Sequence, residues 1–388
     1  MEFGFAPEEE KLLAENNDFL KKEVTPELEA EFYRLGAIYG GPEGRKVGKK
    51  MGAKGWICPT WPKKYGGFET SEMVRFRIIN DMLYNGLPSI FVGANMAGPT
   101  ILRFGSDEMK DQFLPAIARG DVEYALGYTE TEAGSDLASL EICAEDKGDH
   151  FLLNGQKMFN THCHVADYHW LAARTDRNVP KHRGISLMVV DLKSPGITIR
   201  PLISIAGWQT NQVFYDNVKV PKSNLVGEMN KGIYYIMAAL DFERMFPMGS
   251  YQRLFDDLVE YTKQTSVNGK PLSKNPLVRQ KLAELAIEME AVSLLYYQLA
   301  YMLDKEIVPN YQASAEKLFA TEVAQHLTNF GMQIMGLYGQ LKKDSKWAPI
   351  NGRMELHYRW SIIETVYAGS SEVQRNIIAL RGLGLPVK

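Results

Sequence analysis

The chain has 388 residues, long enough for two or three domains and a large buried core, and its 45% hydrophobic and 23% charged residues are an ordinary soluble composition. A formal net charge of −3 gives no electrostatic footprint for nucleic acid, and no run of about 18 apolar residues suits a membrane span. Cys58, Cys143 and Cys163 are odd in number and far apart, and the acidic start "MEFGFAPEEEKLL" lacks the basic residues of a targeting segment, so reduced thiols and a cytoplasmic location are expected.

From residue 7 to about 120 the pattern is helical. In "PEEEKLLAENNDFLKKEV", Leu12, Leu13, Phe19 and Leu20 follow a 3.6-residue period, and "SDEMKDQFLPAIARG" opens on Ser106 as a cap with an acidic first turn. The basic run "GRKVGKK" (44–50) reads as a solvated face. "GWICPTWPKKYGG" (55–67), dense in Gly, Pro and aromatics, reads as a loop, and the small residues of "SIFVGANMAGPT" (89–100) suggest open space.

At residue 123 the texture changes. "HFLLNGQKMFN" carries an Asn-Gly turn signal, and "GISLMVVDL", "GITIRPL" and "NQVFYDNVKVP" read as strands. Long helical patterns return near 229, in "NPLVRQKLAELAIEMEAVSLLYYQLAYMLD" and "QASAEKLFATEVAQHLTNFGMQIMGLYG". The expected divisions are 1–122, helical; 123–228, β; and 229–388, helical.

Three stretches are candidate sites. "THCHVADYHW" (161–170) holds His162, Cys163, His164 and His169, but on a strand Cys163 points away from the two flanking histidines, and no second cluster completes a shell, so no metal is expected. "YTETEAGSD" (128–136) offers hydroxyls and backbone N–H groups to a phosphate or planar heterocycle, and equally reads as a surface loop. In "YYIMAALDFERMFPM" (234–248), Ile236, Leu240, Glu243 and Pro247 keep the rhythm of a buried stripe, so Glu243 stands where an apolar residue belongs. Burial raises a carboxyl pKa toward that of a general base; a salt-bridged glutamate at a bundle rim fits the same pattern. The chain has no Ser-His-Asp order, P-loop or G-x-G-x-x-G. Near its end, "ETVYAGSSEVQRNIIALRG" (364–382) reads as a helix end, a tight turn and a new helix capped by Ser370 or Ser371.

"GWICPTWPKKYGG", "FGSDEMKDQFLPAIARGD", "YTETEAGSD", "NGQKMFNTH", "VKVPKSNLVGE" and "YAGSSEVQRNIIA", in this order over nearly the whole chain, resemble the acyl-CoA dehydrogenase family. The resemblance implies an α+β, mostly α fold: an N-terminal helical bundle, a middle β barrel and a C-terminal four-helix bundle. It implies FAD as cofactor, α,β-dehydrogenation of an acyl-CoA, electron-transfer flavoprotein as acceptor, and a homotetramer or dimer of dimers. It sets the flavin against Leu126, Tyr128 and Thr129, with Thr161 near N5, and Ser135 near the phosphates and the CoA. Phe159 stands where the family usually has tryptophan. Gln333, Gly336, Ser370 and Glu372 would meet the FAD of an adjacent subunit, and Asp241 and Arg244 match CoA-contacting positions.

Two departures stand out. "TSVNGKPL" has Thr265 and Asn268 where members often grip the neighbour's FAD with arginine and phenylalanine, and the surrounding segment is similar to a bacterial branch acting on branched, cyclic or steroid-like acyl groups. The catalytic glutamate that many members carry after the tyrosine matching Tyr367 is Ala368 here. A minority place the base directly before an arginine on the first helix of the C-terminal bundle, which is Glu243, with Glu364 as a reserve. Ala368 keeps its backbone N–H, which in the family binds the thioester oxygen, and Gly369 leaves room for the thioester. The alternatives to a dehydrogenase are an oxidase or desulfinase-like flavoprotein, and a non-catalytic subunit of a heteromeric assembly.

Overall fold

The structure, a computed structural model, describes residues 4–35, 41–87, 92–243 and 245–386, with the side chains of 32–35, 238 and 240–243 outside that description. In chain order the helices are α1 (Pro7–Glu23), α2 (Pro26–Leu35), α3 (Pro42–Ala53), α4 (Glu72–Asn85), α5 (Gly98–Phe104), α6 (Asp107–Ala118), α7 (Gly232–Glu243), α8 (Gly249–Gln264), α9 (Pro276–Asp304), α10 (Tyr311–Met335), α11 (Arg353–Glu364) and α12 (Ser371–Ile377). Two compact units form: 23–71 with 88–243, and 1–22 with 72–87 and 244–388.

The first unit is built on one seven-stranded sheet of β1 (Tyr124–Gly127), β2 (Cys143–Asp146), β3 (His150–Lys157), β4 (Tyr168–Arg174), β5 (Ile185–Asp191), β6 (Ile197–Ile203) and β7 (Gln209–Pro221). It curls as a half-barrel. β4 pairs with β1 in parallel, setting Leu126 opposite Trp170, and with β5 antiparallel. Trp170, Leu171, Leu187 and Val189 are fully buried, as continuous apolar strands must be when both faces are covered.

Asn154 and Gly155 do not make the expected turn. They lie inside β3, where the register against β7 slips between Leu153 and Gly155, and Gly155 takes φ of +139°. β7 continues past this point, so the extra residue is absorbed as a bulge rather than a reversal. Residues 161–165 form a turn rather than a strand, with His162 at φ of +67°, so the alternation expected for His162–His164 does not apply. Among the described residues no three His, Cys, Asp or Glu side chains are grouped to hold a metal.

Around the sheet, the Glu31 carboxylate accepts from the N–H groups of Glu43 (3.1 Å) and Gly44 (2.8 Å), anchoring the start of α3. Ser106 caps α6 by accepting from Met109 N–H at 3.2 Å, as its position predicts. The 55–67 loop is apolar inside: Trp56, Trp61 and Tyr65 are buried. A Cβ on Gly98 would stand 2.0 Å from the Trp61 ring, so this small residue admits an indole rather than leaving space. Gly93–Ala97 winds as a π-turn into α5. α7 is anchored at its start: Asn230 N–H donates to Ser186 Oγ at 2.8 Å, and the Tyr235 ring lies 4.7 Å from that of Phe104. Tyr235, Ile236 and Ala239 form its buried face.

The second unit contains α1, α4 and α8 through α12, and α8, α9 and α10 share a core that includes Tyr251, Leu258, Met289, Val292, Val323 and Leu327. α4 lies close against α8, where Tyr84 donates to Asp256 at 2.7 Å and Asn80 to Gln252 at 3.0 Å. Gly249 makes that approach possible, since a Cβ there would sit 2.1 Å from the Asn80 carbonyl oxygen. The "SVNGKP" segment is a small hairpin of β8 (Ser266–Val267) and β9 (Lys270–Pro271), with Asn268 and Gly269 at φ of +53° and +75°. Glu364, 3% exposed in the last turn of α11, accepts from Tyr251 Oη, and burial pushes its carboxyl up to about 7. Among the described residues no helix is long and apolar enough to cross a membrane.

Two stability outcomes are expected. Gly249→Ala forces backbone apart and costs about 1–3 kcal/mol in urea unfolding; an unchanged midpoint would contradict the close approach. For Glu364 the folded pKa is raised, from 4.5 to about 7. The native state therefore holds the extra proton between these values, and the stability contributed at low pH is lost as pH rises toward 7. Glu364→Gln is thus expected to raise Tm at pH 8 and to change it little at pH 5, as scanning calorimetry reads; equal shifts at both pH values would refute the burial argument.

Candidate active site

At the end of β1 a buried cation organises two segments. Lys157 is fully buried at the end of β3, and its Nζ donates to Tyr128 O and to Glu130 Oε1, both at 2.9 Å. Desolvation lowers its pKa to about 8, opposed by Glu130. Glu130 also accepts from the N–H groups of Glu141 (2.7 Å) and Ile142 (3.0 Å), closing the loop on which Ser135 is exposed.

The turn after β3 is fastened to the same place. Met158 N–H donates to Thr129 O and Asn160 Nδ2 to Leu126 O, each at 2.9 Å. Asn160 and Asn211 are reciprocally paired: Asn160 N–H donates to Asn211 O (2.9 Å), and Asn211 Nδ2 to Asn160 O (2.8 Å). These bonds bring Leu126, Tyr128, Thr129, Phe159 and Thr161 to one place. They hold Phe159 at φ of +57° with 63% of its surface exposed, beside exposed Thr161, whose hydroxyl reaches Thr210 Oγ1 at 3.3 Å. A rigid aromatic face presented to solvent, beside hydroxyls, suits a planar heterocycle.

α7 ends at Glu243, and Asp241 lies in its last turn. The side chains of both, and the whole of Arg244, lie outside the described residues. Position 243 follows buried Ala239 by one helical turn and Ile236 by two.

On the helical unit, Gln333 is exposed in the last turn of α10, and Gly336 ends that helix at φ of +57°. The adjoining Leu337 and Tyr338 are 82% and 59% exposed. Ser370 caps α12 by accepting from Val373 N–H at 3.4 Å. Glu372 is exposed in the first turn, where its backbone N–H and Ser370 hold its carboxyl below the usual range. Between α11 and α12, Ala368 and Gly369 take φ of +52° and +90°. Among the described residues their N–H groups have no protein acceptor, leaving two donors for a ligand oxygen. Thr265 caps the end of α8, next to the Asn268 hairpin. Glu364 is bound inward, to Tyr251.

Sequence reasoning passed over Lys157, Glu130, Asn160 and Asn211. The available signal was Lys157 and Asn160 within "NGQKMFNTH", polar residues just where an apolar strand runs out.

Family profiles match nearly the whole chain in order: acyl-CoA dehydrogenase N-terminal domain at 6–121, middle domain at 125–218 and C-terminal domain at 230–383. Acyl-CoA dehydrogenase FadE26 of Mycobacterium tuberculosis is 34% identical over 398 residues, covering 100% of this chain and 99% of that one. The structure titled ChsE4-ChsE5 complex, from Mycobacterium tuberculosis, matches at TM-score 0.91 and 34% identity, with 100% of both chains covered. One titled Tcur3481-Tcur3483 steroid ACAD matches at TM-score 0.92, again at 34% identity over 100% of both chains. The rigid Phe159 face, with exposed Thr161 and Ser135, fits the flavin and phosphates of FAD. With the fold, the platform and these three ordered matches agreeing, the chain belongs to the acyl-CoA dehydrogenase family, FAD-dependent oxidoreductases acting on acyl-CoA thioesters.

Proposed function

We propose that the chain dehydrogenates a bulky acyl-CoA, of branched, cyclic or steroid-like class, between its α- and β-carbons, with Glu243 as the base. The observation that carries this reading is the pairing of a carboxylate at the end of α7 with an alanine at 368, where a methyl group takes no proton. Glu364 is a weak competitor, because its carboxylate is buried against Tyr251. FAD, when bound, supplies the β-hydride acceptor at N5.

The residues of the chain divide the remaining work. Leu126, Tyr128, Thr129, Phe159 and Thr161 bind and orient the flavin, and Ser135 takes phosphate and CoA contacts. Asp241 and Arg244 hold the CoA. Gln333, Gly336, Ser370 and Glu372 meet the FAD of an adjacent subunit. The N–H groups at Ala368 and Gly369 bind the thioester oxygen, and as enolate charge grows there they make the α-proton easier to remove. The divisions at 122/123 and 228/229 belong to the same reading, supported by the family-profile bounds.

Electron-transfer flavoprotein is proposed as the acceptor and the cytoplasm as the location, in keeping with free Cys58, Cys143 and Cys163. Exposed Leu337, Tyr338 and Trp347 support an assembly, as a homotetramer or dimer of dimers. A second reading, pairing with a different chain, is favoured by the ChsE4-ChsE5 complex among the similar structures.

Anaerobic titration with a panel of acyl-CoA thioesters tests the reaction. Wild type is expected to lose its flavin absorbance with bulky thioesters, and Glu243→Gln to slow this by about a thousandfold or more. Bleaching of Glu243→Gln at the wild-type rate would refute the assignment, and a straight medium-chain substrate outrunning every bulky one would refute the substrate class. Adding Ala368→Glu to Glu243→Gln supplies a carboxylate at the alternative position. It is expected to return at least about tenfold of the lost rate; no recovery by stopped-flow absorbance would tell against interchangeable bases.

A further inference from the structure

Two side chains outside the candidate site residues named above grip the turn at 368–369. Lys317 on α10, 1% exposed, donates its Nζ to the carbonyl oxygens of Glu364 (2.8 Å) and Gly369 (3.0 Å). Gln374 on α12, fully buried, donates its Nε2 to the carbonyl oxygens of Ala368 (2.8 Å) and Gly369 (3.0 Å). Upstream, Tyr367 N–H donates to Ile363 O at 3.0 Å; downstream, Ser371 N–H donates to Thr365 O at 2.9 Å.

These bonds determine where the turn's own donors point. In a planar trans peptide the N–H is directed opposite to the carbonyl, so pinning Ala368 O on Gln374 turns Gly369 N–H away from it. The peptide bearing the Ala368 N–H lies between the pinned 366–367 and 368–369 peptides, and φ of +52° fixes its direction.

The arrangement is not one that stability alone would select. Alanine in the left-handed region costs about 1–2 kcal/mol. Gln374 Oε1 is buried without a partner, at a further cost of about 1–3 kcal/mol. Flipping the amide would press that oxygen against two carbonyl oxygens, so the orientation is dictated by Ala368 and Gly369. Lys317 adds a positive charge behind the turn, with its ammonium 5.6 Å from the Tyr367 ring. Unfavourable local features of this kind persist where the surroundings over-determine them.

We infer that Lys317 and Gln374 are positioning residues, holding the 368–369 turn so that its N–H groups meet the thioester oxygen as negative charge develops on it. Gln374 sets the peptide; Lys317 secures its far side and contributes positive potential. The inference rests on the dehydrogenation reading above.

The test reads the acidity of a bound ligand rather than turnover alone. A 3-oxoacyl-CoA added to the oxidised flavoenzyme gives a long-wavelength absorbance when its enolate stacks on the flavin, and the pH midpoint of that band is the ligand's pKa in the site. Gln374→Met removes both donors together with the unpartnered oxygen, so flavin binding is expected to survive. The midpoint is expected to rise by about one pH unit, with kcat falling about tenfold and KM changing less than about threefold. Lys317→Gln, which keeps a donor but not the charge, is expected to move the midpoint the same way. An unmoved midpoint in flavin-loaded variants, or loss of flavin from both, overturns the inference in favour of a structural role. If wild type shows no band at any pH, the dehydrogenation reading fails instead; a wild-type band unmoved by the substitutions sinks this inference alone.

Discussion

A fully buried ammonium at the end of β3 decides how the sheet's functional edge is built. Removing Lys157 from water costs several kcal/mol, and its bonds to Tyr128 O and Glu130 offset that. Both acceptors belong to the stretch that follows β1, so the charge forces this stretch and the turn after β3 into one place. The exposure of Phe159 follows from it. An aromatic ring left 63% uncovered would ordinarily turn inward, but its neighbours on both sides are already committed to other partners.

The helical unit solves a comparable problem with neutral groups as well as a charge. The end of α11 and the turn that follows it leave carbonyl groups that need donors, and Lys317 on α10 and Gln374 on α12 supply them. The inner side of the turn is thereby saturated and its outer side left with free N–H groups. Both units use the same device: buried polar side chains consume one set of backbone groups, and the opposite set is presented outward.

Much of this was legible in the sequence, for identifiable reasons. Helix ends were readable where a hydroxyl cap precedes an acidic turn, as at Ser106 and Ser370, because capping is a local interaction. The helix at α7 was readable too, with Ile236 on its buried face, while Pro247, expected on the same stripe, lies beyond its end. Asn154–Gly155 misled because the same dipeptide serves a turn or a bulge, and only the distant strand β7 decides between them. Gly98 misled because its space is filled by Trp61, far away in sequence. Lys157 and Gln374 were invisible as organisers, since a lysine or glutamine in a string says nothing of which carbonyls await it.

The interleaving of segments has a consequence for how the protein comes to be made. The helical unit draws on the first 22 residues, on 72–87 and on everything past 243, so its opening pieces leave the ribosome long before their partners exist. α4, cut to fit against Gly249, must wait until synthesis has passed that glycine and the whole β segment before it. During that interval its apolar side is available to chaperones, and a gene cut at either edge of the β segment would yield fragments that each lack part of their own core.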